Sequence, residues 1–322
     1  MRQLLFLAAL ACSAAFAKPV HEHVLGAGQH STDPGAARDL VRLVAEPAGV
    51  PLALAASVGA VDNIHRLASE PGARLAFVQA DIYDALLAQA RAGNPGAQSL
   101  AKRLRVFTPL FDEELHFVVR ADSPLRFVHE IAGQHLNVGP MGGGAAFTAT
   151  RVYARMFGRE LPLADASFQS DEEALARLTG DRSIDVVVVV GGQPTPLLAD
   201  MTAQARQSIR LLAVDPQAPE MRALAGSYAE AAIRHESYPD WLAQDVPALA
   251  VRTLLMTRDY RTPAIRTQLA ALAHAMCAEV ERLHAWGHPK WKEADFGTPA
   301  QQPEWRYYTP ARDMLAHCQA ER

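Results

Sequence analysis

The sequence predicts an α/β fold of two lobes, each a mainly parallel sheet flanked by helices, with a hinge of two crossing segments. Short apolar runs of strand length alternate with stretches that carry apolar residues at helical spacing, which is the pattern of βαβ units. The run Asp185 to Val190 ends in five consecutive valines, which are typical of a strand covered on both faces. A long apolar run, Ala248 to Thr257, then returns the chain to the first lobe, so that two segments cross between the lobes.

Length and composition indicate a globular protein of about two domains. The chain has 322 residues, of which 49% are hydrophobic and 20% charged, with a formal net charge of -4. No run of Lys and Arg suggests a nucleic-acid or membrane-surface face, so the sequence predicts no nucleic-acid partner and no polyanion binding.

The first residues predict export. Met1-Arg2 is a short positive start, Leu4 to Ala14 is apolar but too short to span a bilayer, and Ala15-Phe16-Ala17 is an A-x-A site. We therefore expect a signal peptide cut after Ala17. Cys12 offers a lipoprotein alternative, although the residues before it fit a lipobox poorly. No later apolar stretch predicts membrane insertion, so the sequence predicts a free, periplasmic product.

The predicted domain organisation follows from the two crossings. The turn that begins near Val119 and reaches Ser123 marks the first crossing, and the return after Pro247 marks the second. The segments are a signal peptide (1–17), the first part of domain I (18–120), domain II (121–247) and the second part of domain I with C-terminal helices and a strap (248–322).

In domain I the sequence predicts three strands that each run into a helix. Thr32 or Asp33 caps the first helix, Asp62 the second and Asp81 the third. Two extended runs follow before the turn. The predicted strands and runs are His23 to Gly28, Leu52 to Val58, Leu75 to Val78, Leu104 to Phe111 and Glu114 to Arg120; the helices reach about Val44, span Ile64 to Ser69 and reach about Ala92.

In domain II the same strand-to-helix order recurs. The predicted strands are Leu136 to Gly139, Ala164 to Phe168, Asp185 to Val190 and Ser208 to Val214; the predicted helices are Leu125 to Ala132, Ala145 to Met156 and Asp171 to Leu178. After the return strand, apolar residues at helical spacing predict one helix from Ile265 to Leu283. The aromatic C-terminal tail is interpreted as a packed strap, with a sugar-stacking platform as the alternative.

The stretch GPMGGGAAF, from Gly139 to Phe147, is the most informative motif. Its glycines let successive N–H groups turn toward one point, and the helix that follows adds roughly half a positive charge at its N-terminus. This arrangement favours an anionic group held without Lys or Arg. The alternative is a tight turn whose glycines serve close packing. The motif lacks the GxGxxG spacing and the Lys-Ser/Thr pair of nucleotide-binding loops.

Five strand-to-helix ends are predicted to face one cleft, because open α/β sheets bind ligands at such ends. We expect the backbone around Gly142 to Ala146 to hold a carboxylate, and Arg151, about two turns along the helix, to point away from the cleft. The candidate ligand-binding residues are Gly28, Gln29, His30, Ser31, Ser57, Asn63, Gln79, Asp81, Met141, Gly142, Gly143, Gly144, Ala145, Ala146, Gly191, Gly192, Gln193 and Thr195.

Other candidate sites are few. Cys277 and Cys318 remain after signal cleavage and form either a disulfide or two buried thiols. The triplet from His21 to His23, with His30, could ligate a metal, but no carboxylate or cysteine set completes a coordination sphere. We therefore predict no metal and no cofactor.

Seven blocks in this order resemble the solute-binding subunits of TRAP transporters, specifically the TAXI type. The blocks are SVGAVDNIHRLAS, LAFVQADIYDAL, ELHFVVRADS, NVGPMGGGAAFTA, DVVVVVGGQPTPLL, VPALAVRTLLMTR and HPKWKEADF, spread from Ser57 to Phe296. The resemblance implies a periplasmic clamshell of the type II binding-protein fold, which acts as a monomer. It also implies delivery of a small organic anion, glutamate-like or dicarboxylate-like, to a sodium-driven TRAP permease.

One segment departs from the family pattern. The family opens with a glycine-rich segment followed by paired tyrosines and a proline, whereas this chain has GAGQHSTDP from Gly26 to Pro34. His30 and Asp33 therefore stand near the expected ligand position, which places the usual ligand of the family in question.

The sequence bears on three classes of function: a transport receptor, an enzyme and a sensory binding protein. A transport receptor needs a cleft and no chemistry, and the sequence lacks GxSxG, HExxH and any metal-ligand set, so we predict that the protein is not an enzyme. A sensory binding protein that presents its ligand to a membrane receptor kinase is the alternative, because it uses the same clamp.

Overall fold

The computed structural model describes residues 22–26, 32–294, 296, 302–316 and 318. The predicted signal peptide, Cys12 and His21 lie outside these residues. Within them, the strands are β1 (His23–Leu25), β2 (Ala53–Ala55), β3 (Ala73–Gln79), β4 (Leu104–Arg120), β5 (Leu136–Asn137), β6 (Ala166–Ser167), β7 (Val186–Gly191), β8 (Ile209–Leu211), β9 (Ala229–Ile233) and β10 (Val246–Arg258).

The helices lie between these strands and after them. They are α1 (Thr32–Asp39), α2 (Ala60–Ser69), α3 (Ala80–Arg91), α4 (Pro95–Arg103), α5 (Gly144–Phe157), α6 (Asp171–Thr179), α7 (Pro196–Ala199), α8 (Ala203–Gln207), α9 (Pro263–Ala278), α10 (Val280–Trp286) and α11 (Thr309–Ala316). A π-helical segment, Leu40–Ala45, extends α1, and short 3-10 turns span Val128–Glu130, Leu163–Asp165, Pro219–Leu224, His235–Ser237 and Pro289–Glu293.

Two long strands join the lobes. Strand β4 pairs with β10 over its first part and with β7 and β8 over its last part, so one chain segment belongs to both lobes. Strand β10 does the same in the opposite direction, since it pairs with β9 first and with β3 later. All ten strands of the described residues therefore form one sheet, ordered β2-β1-β3-β10-β4-β7-β5-β6, with β8 on β4 and β9 on β10.

Each lobe buries apolar side chains on both faces of its part of the sheet. In lobe I one core lies under α1, α9 and α11 and a second under α2 and α3. In lobe II one core lies under α5 and the other under α6 and α7. The five valines of β7 are at most 5% exposed, in agreement with the doubly covered strand that their sequence predicts.

Several element predictions need correction. The two predicted runs Leu104 to Phe111 and Glu114 to Arg120 are one continuous strand, since β4 crosses the hinge without a break. The helix predicted at Leu125 to Ala132 is only a 3-10 turn, and the predicted C-terminal helix divides at Glu279. The domain boundary predicted from the sequence stays a prediction. Strands β4 and β10 pass from one lobe to the other side by side at the pairs Asp112–Arg252 and Glu113–Val251, so we propose to place the boundary there.

Cys277 and Cys318 form a disulfide that ties α9 to the C-terminal segment, with Cα atoms 5.6 Å apart. This is the first of the two alternatives that the sequence left open. No helix of the described residues combines the length and apolar character needed to cross a membrane.

Candidate functional site

The glycine loop between β5 and α5 has the backbone that its sequence predicts. Gly139 and Gly142 have φ values of 88° and 82°, a region that residues with a Cβ rarely adopt. Gly143 is the N-cap of α5, and no side chain caps this end of the helix. The first N–H groups of this helix of 14 residues therefore have no acceptor within the helix, as at every helix start.

This loop meets two helix starts of lobe I. Gly59 is the N-cap of α2, and a Cβ placed on it would stand 3.0 Å from both Cα of Gly143 and N of Gly144. Gln79 is the N-cap of α3, and a Cβ placed on Gly144 would stand 2.9 Å from Cδ of Gln79. None of the three N-cap residues caps its helix with its side chain. We call the meeting point of Gly59, Gln79, Gly143 and Gly144 the interlobe site.

The interlobe site has an electrostatic consequence. Three helix starts from two lobes converge there, and each carries roughly half a positive charge and N–H donors that have no acceptor within the helix. The glycines remove the side chains that would separate the backbones. An anionic group placed among these starts would be bound by backbone donors alone.

Buried acceptor oxygens surround this point. Gln79 is 5% exposed, and its Nε2 donates to Oε2 of Glu113 at 2.8 Å. Among the described residues, no donor reaches Oε1 of Gln79, Oε1 of Glu113 or Oδ1 of Asn63. A buried acceptor without a donor is unfavourable, so these oxygens would gain from a ligand that carries N–H or O–H groups.

A charged cluster lies at the hinge beside the interlobe site. Lys290, 1% exposed, donates from Nζ to Oε1 of Glu114 at 2.5 Å and to Oε2 of Glu293 at 2.7 Å. Burial raises the pKa of Glu114, while the charge of Lys290 opposes the shift. Burial also raises the pKa of Glu113 to about 7, and the hydrogen bond from Gln79 opposes this shift. The hinge thus holds two buried carboxyl groups on adjacent residues of β4.

A second bridge between the lobes runs from α3 to the loop before β9. Asp81 is 3% exposed, and its Oδ2 accepts a hydrogen bond from the hydroxyl of Tyr228 at 2.9 Å. Burial raises the pKa of Asp81 to about 6; the Tyr228 hydrogen bond and the positive charge of Arg151 act against it. Burial and the nearby Asp81 also raise the pKa of Tyr228.

From its place on α5 we expected Arg151 to point away from the cleft, but its side chain reaches toward lobe I. Its guanidinium lies over the ring of Phe147, 5.9 Å from the centroid; burial raises the pKa of both Asp81 and Asp84 in lobe I, and the charge of Arg151 opposes this rise. The count of helical turns placed Arg151 correctly along the helix, but a long side chain can reach back along the surface toward acidic neighbours.

The end of β7 is held by lobe II and the hinge. The backbone N of Gln193 donates to Oε2 of Glu114 at 3.1 Å, and its Nε2 donates to the carbonyl of Ala232 at 2.8 Å. The N of Thr195 donates to the hydroxyl of Tyr238 at 2.9 Å. That hydroxyl lies 3.1 Å from Nε2 of His116, whose pKa falls to about 4 through burial. This end therefore has structural partners for its amide groups.

The remaining candidates have varied surroundings. Gly28, Gln29, His30 and Ser31 lie outside the described residues, as does the side chain of Asp33. The hydroxyl of Ser57 donates to the carbonyl of Gly26, and Nδ2 of Asn63 donates to the carbonyl of Phe77 at 2.8 Å, so both join neighbouring strands.

The residues of the glycine loop differ in their exposure to solvent. Met141 is 71% exposed and Gly142 is also exposed, whereas Gly144 and Ala146 are buried and Ala145 is half-buried. Gly191, which opposes Glu114 in the ladder, and Gly192 are buried. Within the described chain, no group of three His, Cys, Asp or Glu side chains is placed to hold a metal ion.

Sequence reasoning missed the buried polar residues of the hinge. The signal was present, because Asp112, Glu113 and Glu114 form an acidic triplet inside an otherwise apolar run. Carboxylates are rarely placed in a buried strand without partners or a function. The pairing of Lys290 with Glu114 and that of Tyr228 with Asp81 could not be inferred from sequence, since the partners lie 176 and 147 residues apart along the chain.

Comparisons with known proteins place the fold. A model of the NMT1-like family matches residues 37–288. MatC from Rhodopseudomonas palustris, solved with bound malate, superposes with a TM-score of 0.52 at 14% identity over 93% of this chain and 96% of its own. The periplasmic binding protein BugD superposes with a TM-score of 0.51 at 11% identity over 93% of this chain and 94% of its own. The chain thus has the two-lobed fold of periplasmic binding proteins. No curated protein sequence matches it.

Proposed function

Because the chain belongs to the NMT1-like family, we propose that it is a periplasmic solute-binding receptor that captures a small organic anion between its lobes. In this proposal the anion is a carboxylate or an amino acid, and the loaded receptor delivers it to a TRAP-type membrane permease. The receptor acts as a monomer without a cofactor and performs no reaction. Residues 1–17 serve as a cleavable signal peptide that exports it.

The meeting of three helix N-termini at the interlobe site carries this proposal. Gly59, Gln79 and Gly143 are the N-caps, and they belong to helices of 10, 12 and 14 residues. Charge-assisted hydrogen bonds from preorganised backbone donors are about twice as strong as neutral ones. A carboxylate between these starts would be stabilised by both lobes at once. Its binding would therefore favour the state in which the lobes are closed.

The hinge strands support the motion that such binding requires. In the structure a Cβ placed on Gly59 would stand 3.0 Å from N of Gly144, so the two helix starts are already close and a ligand can enter only when the lobes part. Strands β4 and β10 are the connections that would bend, and the ladder between them shifts register between Arg252 and Leu254. A ladder irregularity of this kind lets a strand bend locally.

Two ligand classes follow from the surroundings of the site. The structural neighbour MatC binds malate, so small dicarboxylates are the first class to test. The acceptor oxygens of Gln79 and Glu113 would suit an ammonium group beside a carboxylate, so amino acids are the second class.

A thermal-shift screen of the mature protein against both classes tests the proposal. A ligand that binds only the folded state raises the unfolding midpoint, and at 100 times its Kd it adds about 2.7 kcal/mol of stability. We expect at least one organic acid or amino acid to raise the midpoint, and the neutral amide or alcohol of the same skeleton to leave it unchanged. If the neutral compound stabilises as well as the acid, the anion-receptor proposal is wrong.

A further inference from the structure

Lobe I contains a cavity that shares no residue with the interlobe site. Its volume is about 790 Å³. The wall is built from three chain segments: residues 68–74 from the end of α2 into β3, 99–103 at the end of α4, and 258–265 from the end of β10 into α9. Because β10 crosses the hinge at Arg252 and runs away from it to Arg258, the cavity lies at the end of lobe I remote from the hinge.

The wall is strongly basic, although the chain as a whole is acidic. Its charged members are five cations and one acid: Arg74, Lys102, Arg103, Arg258, Arg261 and Asp259. We call this cavity the basic pocket. Two charged residues just outside the wall do not change its net positive charge. One is a cation, Arg105, which bonds Asp259 at 2.8 Å, and the other is an acid, Glu22, which bonds Arg74 at 2.9 Å.

Three of these cations are not neutralised. Among the described residues, no carboxylate lies within salt-bridge distance of Lys102, Arg103 or Arg258; the acid of the wall, Asp259, is engaged by Arg105 and Arg261. The guanidinium groups of Arg103 and Arg258 each donate to the carbonyl of Ala68 at 3.4 Å. Two like charges are therefore held beside one carbonyl, which is unfavourable unless an anion lies between them.

The guanidinium groups are also preorganised. The guanidinium groups of Arg74 and Arg258 lie over the ring of Tyr260, 5.3 Å and 4.8 Å from its centroid. Its hydroxyl accepts from Nε of Arg258 at 3.1 Å and donates to the carbonyl of Ala73 at 2.6 Å. Arg74 is only 9% exposed, and its buried Nε has no acceptor among the described residues. Fixed guanidinium groups lose little conformational entropy when they bind a ligand.

A helix start adds donors to the same wall. Helix α9 has 16 residues, and its N-cap Thr262 lines the cavity without capping the helix through its side chain. The partial positive charge of this N-terminus therefore faces the cavity that the cations surround.

From these observations we propose that the basic pocket binds a multiply charged phosphate group. A single carboxylate cannot neutralise three unpaired cations and a helix N-terminus, whereas a phosphate offers several acceptor oxygens that match guanidinium geometry. Two sources share this chemistry: a free phosphorylated solute, and the headgroups of anionic phospholipids. The proposal is independent of the interlobe ligand, because the two sites share no residue.

Pyrophosphate titration by calorimetry at 150 mM NaCl tests the proposal on the mature protein. The variant Lys102→Gln/Arg103→Gln removes two exposed charges of the wall and should bind about tenfold more weakly or worse. The matched control Arg126→Gln/Arg222→Gln removes two exposed charges of lobe II and should bind as the wild type does. Gly144→Val should also bind pyrophosphate normally, since it alters only the interlobe site.

The results separate a built site from general charge effects. Equal pyrophosphate affinity in the wild type and the Lys102→Gln/Arg103→Gln variant, or no binding by the wild type, would overturn the proposal. Loss of binding in Gly144→Val alone would also overturn it, because it would place pyrophosphate in the interlobe site.

Vesicle sedimentation then identifies the source of the phosphate. Wild-type protein that sediments with phosphatidylglycerol–phosphatidylcholine vesicles, but not with phosphatidylcholine alone, supports the headgroup source if the double variant stays in solution. Pyrophosphate binding without vesicle binding supports a free phosphorylated solute. Vesicle binding that the double variant retains in full contradicts a role of this pocket at membranes.

Discussion

The interlobe site and the basic pocket offer an anion two different kinds of donor. Around Gly59 and Gly144 the donors are backbone N–H groups at three helix starts, and the buried side chains of Asn63, Gln79 and Glu113 lie close by. Around Arg74 and Arg258 the donors are guanidinium groups held over the ring of Tyr260. The first site is divided between two lobes, and the second lies within one.

The difference follows from what each region must do. A site between moving lobes must be completed by closure, and glycine backbones can approach to contact distance where long cationic side chains would hold the lobes apart. Such a site can bind an anion and still be neutral when empty. A pocket within one lobe has fixed walls, so it can tolerate repulsive cations, at the expense of selectivity among anions.

The largest effect is expected from Gly144→Val. A Cβ at this position would stand 2.9 Å from Cδ of Gln79, so valine should keep the lobes apart and lower the affinity for the interlobe ligand by roughly 100-fold or more. Gly143→Val should act similarly, because its Cβ would stand 2.9 Å from the carbonyl of Pro140. Calorimetry with the ligand found in the thermal-shift screen measures the change.

Gly96→Val is the matched control, since Gly96 also lies in the first turn of a helix and is exposed there. A Cβ on Gly96 would meet only Oδ1 of Asn94, at 3.4 Å. Full affinity in Gly144→Val, with circular dichroism that shows a folded protein, would mean that the glycine loop does not form the ligand site.

The next largest effect is expected from ionic strength, which should weaken binding at the basic pocket more than binding at the interlobe site. Exposed cations are screened by salt, whereas buried backbone donors are screened much less. Raising NaCl from 50 to 500 mM should therefore weaken pyrophosphate binding about tenfold or more and interlobe binding about twofold or less. Parallel titrations of one protein preparation measure both. Equal salt dependence would show that the interlobe ligand is held by exposed charges and would remove the distinction.

The sequence predicted the first site better than the second for a physical reason. The glycine loop is contiguous, so its backbone freedom and the helix that follows can be inferred from neighbouring residues. The basic pocket is assembled from segments that are far apart in the chain, and no run of Lys or Arg announces it. The sequence analysis therefore did not predict the basic pocket.

The fold was predictable to a similar degree. The doubly covered β7 and the order of strand-to-helix units follow from apolar periodicity, and both lobes agree with it. The continuity of β4 through the hinge was not predictable, because Asp112 to Glu114 interrupt the apolar pattern and suggest a break. Their burial depends on Gln79, Lys290 and Gln193, which only the tertiary structure brings to them.

Glu113→Gln should change how stability depends on pH. Burial holds the pKa of Glu113 at about 7, above the ordinary value of 4.5, so the folded protein binds a proton that the unfolded chain releases in this range. The free energy of unfolding should therefore fall as the pH rises from about 4.5 to about 7. The variant should reduce this slope by up to about 1.4 kcal/mol per pH unit.

Urea unfolding at pH 5, 6, 7 and 8 measures the slope. Part of it should remain in Glu113→Gln, because the pKa of Asp81 is also raised by burial. The control is Glu130→Gln: the backbone N–H groups of Arg126 and Phe127 lower the pKa of Glu130, so its titration affects stability only at lower pH. A slope that is identical in Glu113→Gln and the wild type would show that Glu113 is not the group that titrates. Pyrophosphate binding, which depends on arginine and lysine, should be independent of Glu113.

The smallest effect is expected from Tyr228→Phe, which removes one hydrogen bond between the lobes. The hydroxyl of Tyr228 donates to Asp81 across the interface, and a bond of this kind contributes about 1 kcal/mol, so the affinity for the interlobe ligand should fall about fivefold. Tyr238→Phe is the control, because the hydroxyl of Tyr238 joins Thr195 and His116 within lobe II. It should lower the unfolding midpoint and leave affinity unchanged. If the two variants lose affinity equally, the Asp81–Tyr228 bond does not stabilise the closed state. If only Tyr228→Phe loses affinity and pyrophosphate binding is intact in both, closure is specific to the interlobe site.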